Sequence, residues 1–233
     1  MVDAWLAEAM ASYNADSLAS KDAYPGLIQM PGSTLETLVV WALQSLPDEI
    51  LVGLDADESR AHVPEVDEAY LGIDNDANLF AGQGFVLGDA SIVNRGDSYS
   101  VHHVPEEWTD GIFAETRGSR GGRFVHWLHT HPNAVAIPSK QDADAAQYTL
   151  GVDMILGIEF SPEGPLPWFD DVDGVRRRLV ADEKQQETRP VLGIAPTGHR
   201  IHGLELIAFH RSGVGINVLF VDEDGYPYGW GLS

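Results

Sequence analysis

The sequence predicts an α/β fold, and three stretches carry that expectation. Leu35, Leu38, Val39, Ala42, Leu43 and Leu46 recur at helical spacing until Pro47, and Glu49 to Leu54 then reads as a strand. Residues 153–160, DMILGIEF, read as an apolar strand of central type. Leu204 to Phe209 and Gly215 to Val221 flank Arg211-Ser212-Gly213 and read as an antiparallel pair that closes the sheet. With 233 residues, 44% of them apolar, the chain can bury the core of one large domain, with or without an appendage.

In chain order, residues 3 to about 13 read as a short helix with Trp5, Leu6, Ala9 and Met10 on one side. Residues 14–32, with Pro25-Gly26 and Pro31-Gly32, read as loop, so 1–32 is expected as an amino-terminal extension packing on the core. Ser33 and Glu36 have capping-box spacing at the start of the next helix. Residues 55–83 are acidic and weakly patterned, an expected insertion or flexible flap in which His62 is exposed and not a ligand. Gly84 to Leu87, Ser91 to Asn94 and Tyr99 to Val104 read as short strands joined at Gly88-Asp89 and Gly96-Asp97.

His102 and His103 fall on opposite faces of the third of these strands. Pro105 to about Thr116 reads as a helix, Gly118 to Gly122 as a loop, and Phe124 to Leu128 as a central strand. Within residues 161–200 the run Arg176-Arg177-Arg178 reads as a solvated face paired with Asp170, Asp171 and Asp173. His199, His202 and His210 have no ligand-like spacing and read as structural.

Composition excludes several classes of function. Against 36 Asp plus Glu stand 14 Lys plus Arg, only three of them lysine (Lys21, Lys140, Lys184), and the formal charge is -22. Such a surface argues against nucleic acid and anionic membrane as partners. The acids are spread along the chain, a pattern like that of salt-loving archaeal proteins, which stay soluble where screening shortens to about 3 Å. With no cysteine, disulfides, thiolate metal sites and cysteine nucleophiles are excluded. The segment MVDAWLAEAM has no basic n-region and no apolar run approaches 18 residues, so a cytoplasmic protein is expected.

The chemistry concentrates in Val125 to Asp142, VHWLHTHPNAVAIPSKQD. His129 and His131 are two residues apart at the end of an apolar run, so a strand sends both imidazoles to one face, where they can meet one ion. Ser139 has the character of a helix N-cap with Asp142 at N3, opening a helix from Asp142 to about Leu150 and turning the carboxylate back toward the strand. Two histidines and one carboxylate leave zinc a fourth position for water, which becomes a nucleophile near neutral pH. Either half alone has an ordinary reading, as strand-end histidines or as a simple capping box. Chance produces the whole constellation in roughly two chains per thousand of this composition, which favours the metal reading.

His129-Thr130-His131, seven residues, Ser139, two residues, Asp142 resembles the JAMM (MPN-plus) metalloprotease signature, as do Pro132, Pro138 and Trp127 around it. The resemblance covers about residues 33–160 and extends more weakly to the final strands. It implies a cytidine-deaminase-like architecture with a curved, mixed, mostly antiparallel sheet flanked by helices. The domain would span 33–221, with insertions near 55–83 and 161–200 and a tail at 222–233.

In this family a helix ending near a proline leads into a strand whose early glutamate serves the metal-activated water, a pattern matched by Pro47 and Glu49. Glu115 is the reserve candidate. The resemblance thus implies Zn2+ held by His129, His131 and Asp142, Glu49 as general base and then acid, and Ser139 bonding the oxyanion or the water. The implied activity is hydrolysis of amide bonds to ubiquitin-like small modifier proteins, with substrate tails adding a strand at an exposed edge. Alternatives are a zinc hydrolase of another peptide or amide, a non-catalytic MPN scaffold that binds partner proteins, and a structural metal domain.

Overall fold

The computed structural model describes residues 2–57, 59, 63–72, 86–96, 124–161 and 189–231. The first helix, α1 (Ala4–Ala19), buries Leu6, Met10, Asn14 and Ser17 in one stripe, so it runs beyond the expected end near residue 13. A 3-10 turn at Lys21–Ala23 follows. Strand β1 (Leu27–Pro31) is buried throughout, where the two Pro-Gly pairs had suggested only loop. Five residues are too few for a periodicity to register, and every one of these faces the interior.

Helix α2 (Gly32–Ser45) buries Leu35, Leu38, Val39 and Ala42 as the spacing predicts. Its start differs from the expected capping box: Pro31 occupies the N-cap without a side-chain bond, and Glu36 Oε1 instead accepts from Asp3 N at 3.0 Å. Strand β2 (Ile50–Ala56) comes next. Within the stretch expected as an insertion or flap, α3 (Pro64–Tyr70) is packed, not free. Its Val66 and Tyr70 join Leu27, Leu219 and Val221 in a small second core, and Asp67 Oδ1 accepts from Gln29 Nε2 at 2.7 Å.

Strand β3 (Leu87–Arg95) is continuous through Gly88-Asp89, where a turn was expected. The pair pushes one extra residue into β3 between Leu87 and Ala90, opposite Leu54 to Ala56, so the glycine marks a bulge. Strands β4 (His126–Pro132) and β5 (Val152–Ser161) are joined through α4 (Lys140–Ala146), which is shorter than the expected run to Leu150. Strands β6 (Gly193–Ile194), β7 (Arg200–His210) and β8 (Gly215–Val221) complete the described chain. The expected strand at Tyr99 to Val104 with His102 and His103, the helix from Pro105 with Glu115, the 118–122 loop, His62 and the arginine run lie outside the described residues.

The strands form one mixed sheet in the order β1-β8-β7-β5-β4-β2-β3, with β6 on β7. Pairs β1–β8 and β4–β5 are parallel, and the other five are antiparallel. A bridge between Gln29 and Val86 ties β1 to the chain entering β3, so the sheet curls until its two ends meet. The expected β7–β8 pair forms, but over only two residue pairs, and β8 then runs on against β1 instead of closing the sheet.

Helix α1 takes over where β7 leaves off. Asn14 bonds both Phe220 N and Phe220 O, and Ser17 Oγ donates to Val218 O. These bonds explain why polar Asn14 and Ser17 belong to the buried face of α1. The main core lies against α1 and α2 and includes Met10, Leu38, Leu54, Leu128, Met154 and Phe220. Among the described residues, no helix is long and apolar enough to cross a membrane.

Candidate metal centre

Strand β4 lies between β2, antiparallel to it, and β5, parallel to it. Alternation turns Leu128, Thr130 and His126 one way and Trp127, His129 and His131 the other. His126 is fully buried and its Nδ1 accepts from Val152 N at 3.1 Å, so it serves the backbone. Burial pushes its imidazole down to about 4, which keeps it neutral.

On the opposite face the expected ligands converge. His129 Nε2 lies 3.1 Å from His131 Nε2 and 3.2 Å from Asp142 Oδ1, and His131 Nε2 lies 3.6 Å from Asp142 Oδ2. His129 is buried, and His131 and Asp142 are partly so. All three donor atoms fall within 4.8 Å of one another, and this group is able to hold a metal ion.

Helix α4 starts as the sequence predicts. Ser139 is the N-cap: its Oγ accepts from Asp142 N at 3.2 Å, and its own N–H donates to Asp142 Oδ2 at 2.6 Å. The capping box therefore anchors one oxygen of Asp142 and leaves Oδ1 beside His129. Burial acts to raise the Asp142 carboxyl, but hydrogen bonds from His129, His131 and Ser139 and the charge of His129 outweigh it, holding the group well below the usual carboxylate range. Burial likewise acts to lower His131, and bonds to Asp142 and Val135 O with the charges of Asp142 and Glu49 raise it overall. The cluster stabilises positive charge at its centre.

Glu49 precedes β2. The β2–β4 register ends at Leu51 opposite His129, two residues after Glu49, and the charge of Glu49 acts on His131. Its backbone is fixed by Gly96 N donating to Glu49 O at 2.9 Å, and Ile50 N donates to Thr130 Oγ1 at 3.0 Å. The remaining described histidines bond elsewhere: His199 to Thr197, His202 to Ser161 and Pro190 O, and His210 to Ser212.

Two features of this face had no signal in the sequence reading. Asn133, with φ 53, turns the chain after Pro132, its Oδ1 accepting from Phe160 N at 2.8 Å. The only hint was an Asn, which tolerates that conformation, immediately after a strand-ending proline. Asp153 pairs with Trp127 across β4–β5 and shares its face, 2% exposed. Burial pushes its carboxyl up to about 7, with a Thr149 hydrogen bond opposing and the charge of Asp142 adding. Placed at the start of an apolar strand, Asp153 looks like a boundary residue until the register is known.

No family model matches the chain. No curated protein matches it. Among solved structures it is similar to the solution structure of protein DSY2949 from Desulfitobacterium hafniense, at 15% identity and a TM-score of 0.39, with 84% of this chain and 94% of that chain covered.

Proposed function

We propose that the chain is a zinc-dependent isopeptidase or peptidase that hydrolyses amide bonds to ubiquitin-like small modifier proteins. The observation that carries the reading is the meeting of His129, His131 and Asp142 at 3.1 to 3.6 Å, with the charge of Glu49 acting on His131. Donor atoms on a zinc tetrahedron stand about 3.3 Å apart, so two imidazoles and a carboxylate at these separations suit that ion. Three protein donors among the described residues suit an open, catalytic position. The curled mixed sheet flanked by helices is compatible with an MPN, cytidine-deaminase-like fold.

When bound, zinc supplies Lewis acidity that lowers the pKa of water and polarises the scissile carbonyl. Glu49 takes the proton of the attacking water and hands it to the departing amine. Ser139 Oγ accepts from Asp142 N, which leaves its O–H proton to donate toward the developing oxyanion. His131 and His129 orient the site through their fixed rings. The acidic surface suits a cytoplasm of high salt.

The test combines metal content with turnover. Wild-type protein in molar salt should carry about one zinc per chain, lost in His129→Ala and Asp142→Ala. Glu49→Gln should keep the zinc while cleavage of a modifier conjugate falls by about 10²- to 10⁴-fold. A folded wild type without zinc would sink the reading, and zinc without cleavage in any variant would leave a scaffold.

A further inference from the structure

After Asn133 the chain doubles back over β5, where Asn133 N donates to Ile158 O at 2.8 Å. The segment lies close because Gly157 is beneath it: a Cβ there would sit 3.1 Å from Ala134 O and 3.2 Å from Ala136 N. The peptide unit joining Val135 to Ala136 is then held at both ends. Its carbonyl oxygen is 3.0 Å from His131 Nδ1, and its N–H donates to Glu205 Oε2 at 3.2 Å. A carbonyl oxygen only accepts, so Nδ1 of His131 donates to it, and in the neutral ring Nε2, which faces His129 and Asp142, is left as the donor atom for an ion. Register makes this relation regular, since Gly157 pairs with His131 on one side and with Glu205 on the other. The three stand in one row on one face of the sheet, Glu205 about 10 Å from His131 across two strand spacings.

We propose that Glu205 is a positioning residue of the metal centre, holding His131 through the intervening Val135–Ala136 peptide in the tautomer and orientation that present Nε2 to the ion. The inference rests on the metal-site reading above. Histidine ligands commonly donate their second N–H to a carboxylate, which fixes the ring and raises its basicity. Here a peptide is interposed. An acceptor at its N–H end polarises the unit and strengthens the carbonyl as the partner of His131 Nδ1–H. Glu205 is exposed, so its effect belongs at the low end for such outer partners.

The experiment is a zinc titration against a competing chromophoric chelator on the full chain, with 15N spectra of the histidine rings recorded on metal-free protein at a pH where His131 is neutral. Glu205→Ala should weaken zinc binding about tenfold. It should also convert His131 from the Nδ1–H form to a mixture of tautomers. Glu205→Gln, whose carbonyl oxygen still accepts from Ala136 N, should recover most of both. His126 is the internal control: its Nδ1 accepts from Val152 N, so it should stay in the Nε2–H form in every variant. Zinc affinity within twofold of wild type in Glu205→Ala, with His131 unchanged, would overturn the proposal while leaving the metal centre standing. Absence of zinc binding in wild type would remove the metal reading, and this proposal with it.

Discussion

Replacing Asp153 by asparagine should remove a slope from the stability profile between acid and neutral pH. The residue is 2% exposed, its Oδ2 has no hydrogen-bond partner among the described residues, and burial is the main reason its carboxyl rises from 3.8 to about 7. Between those values the folded chain holds a proton that the unfolded chain has released. Stability therefore falls as pH rises from about 4 to about 7 and stays reduced above that. The full displacement corresponds to about 4 kcal/mol. Asparagine carries no charge at any pH, so this loss disappears. Its amide N–H2 must sit where an oxygen found no partner, which costs about 1–3 kcal/mol. The variant should thus be about 1–3 kcal/mol more stable than wild type at pH 8, and equal or less stable at pH 4. Urea unfolding at a series of pH values would measure this, on chelator-treated protein at constant high salt so that no bound ion alters the field at the carboxylate. Parallel profiles for wild type and Asp153→Asn across that interval would refute the argument.

Asn14→Ala removes bonds to Phe220 N, Phe220 O and Tyr228 O at a buried position, and should cost about 3 kcal/mol in urea unfolding with an unchanged m value. Gly53→Ala drives a methyl into the buried Phe124 ring, which packs edge-on to Trp127, and should lower stability by about 1–3 kcal/mol. A thermal midpoint equal to wild type would show that the ring yields without strain.

The parts of the fold legible in the sequence are those with long, regular patterns: α2 with its apolar stripe, and β5 as a largely apolar run. What was missed is short or polar on its buried side. Strand β1 occupies five residues that begin after one Pro-Gly pair and end on the proline of the next, and α1 continues through Asn14 and Ser17, whose burial makes sense only beside the free edge of β8. The meeting of the two histidines and Asp142 was legible because His129, His131, Ser139 and Asp142 fall within fourteen residues and are related by local rules, strand alternation and an N-cap. Asp153 and Glu205 had no such signal. Their places follow from register across β4, β5 and β7, which no local pattern records.

The topology explains why the cluster stands where it does. Strands β4 and β5 are parallel neighbours joined through α4, and the carboxyl end of a strand in such a unit is where chain leaves the sheet and opens a crevice. The two histidines sit at that end of β4, and Asp142 sits in the first turn of the helix that follows. One pair of residues does two jobs. Ser139 and Asp142 start the helix by capping each other, and the same bond that satisfies Ser139 N fixes the carboxylate whose other oxygen reaches His129. The antiparallel partner β2 then approaches from the opposite side, so Glu49 comes to the cluster from an element far away in sequence. Glu49 stands one residue ahead of β2, and a slip of one residue in the β2–β4 ladder would turn Leu51 to the other face. The bond from Ile50 N to Thr130 Oγ1, beside the ladder and on its buried face, opposes that slip.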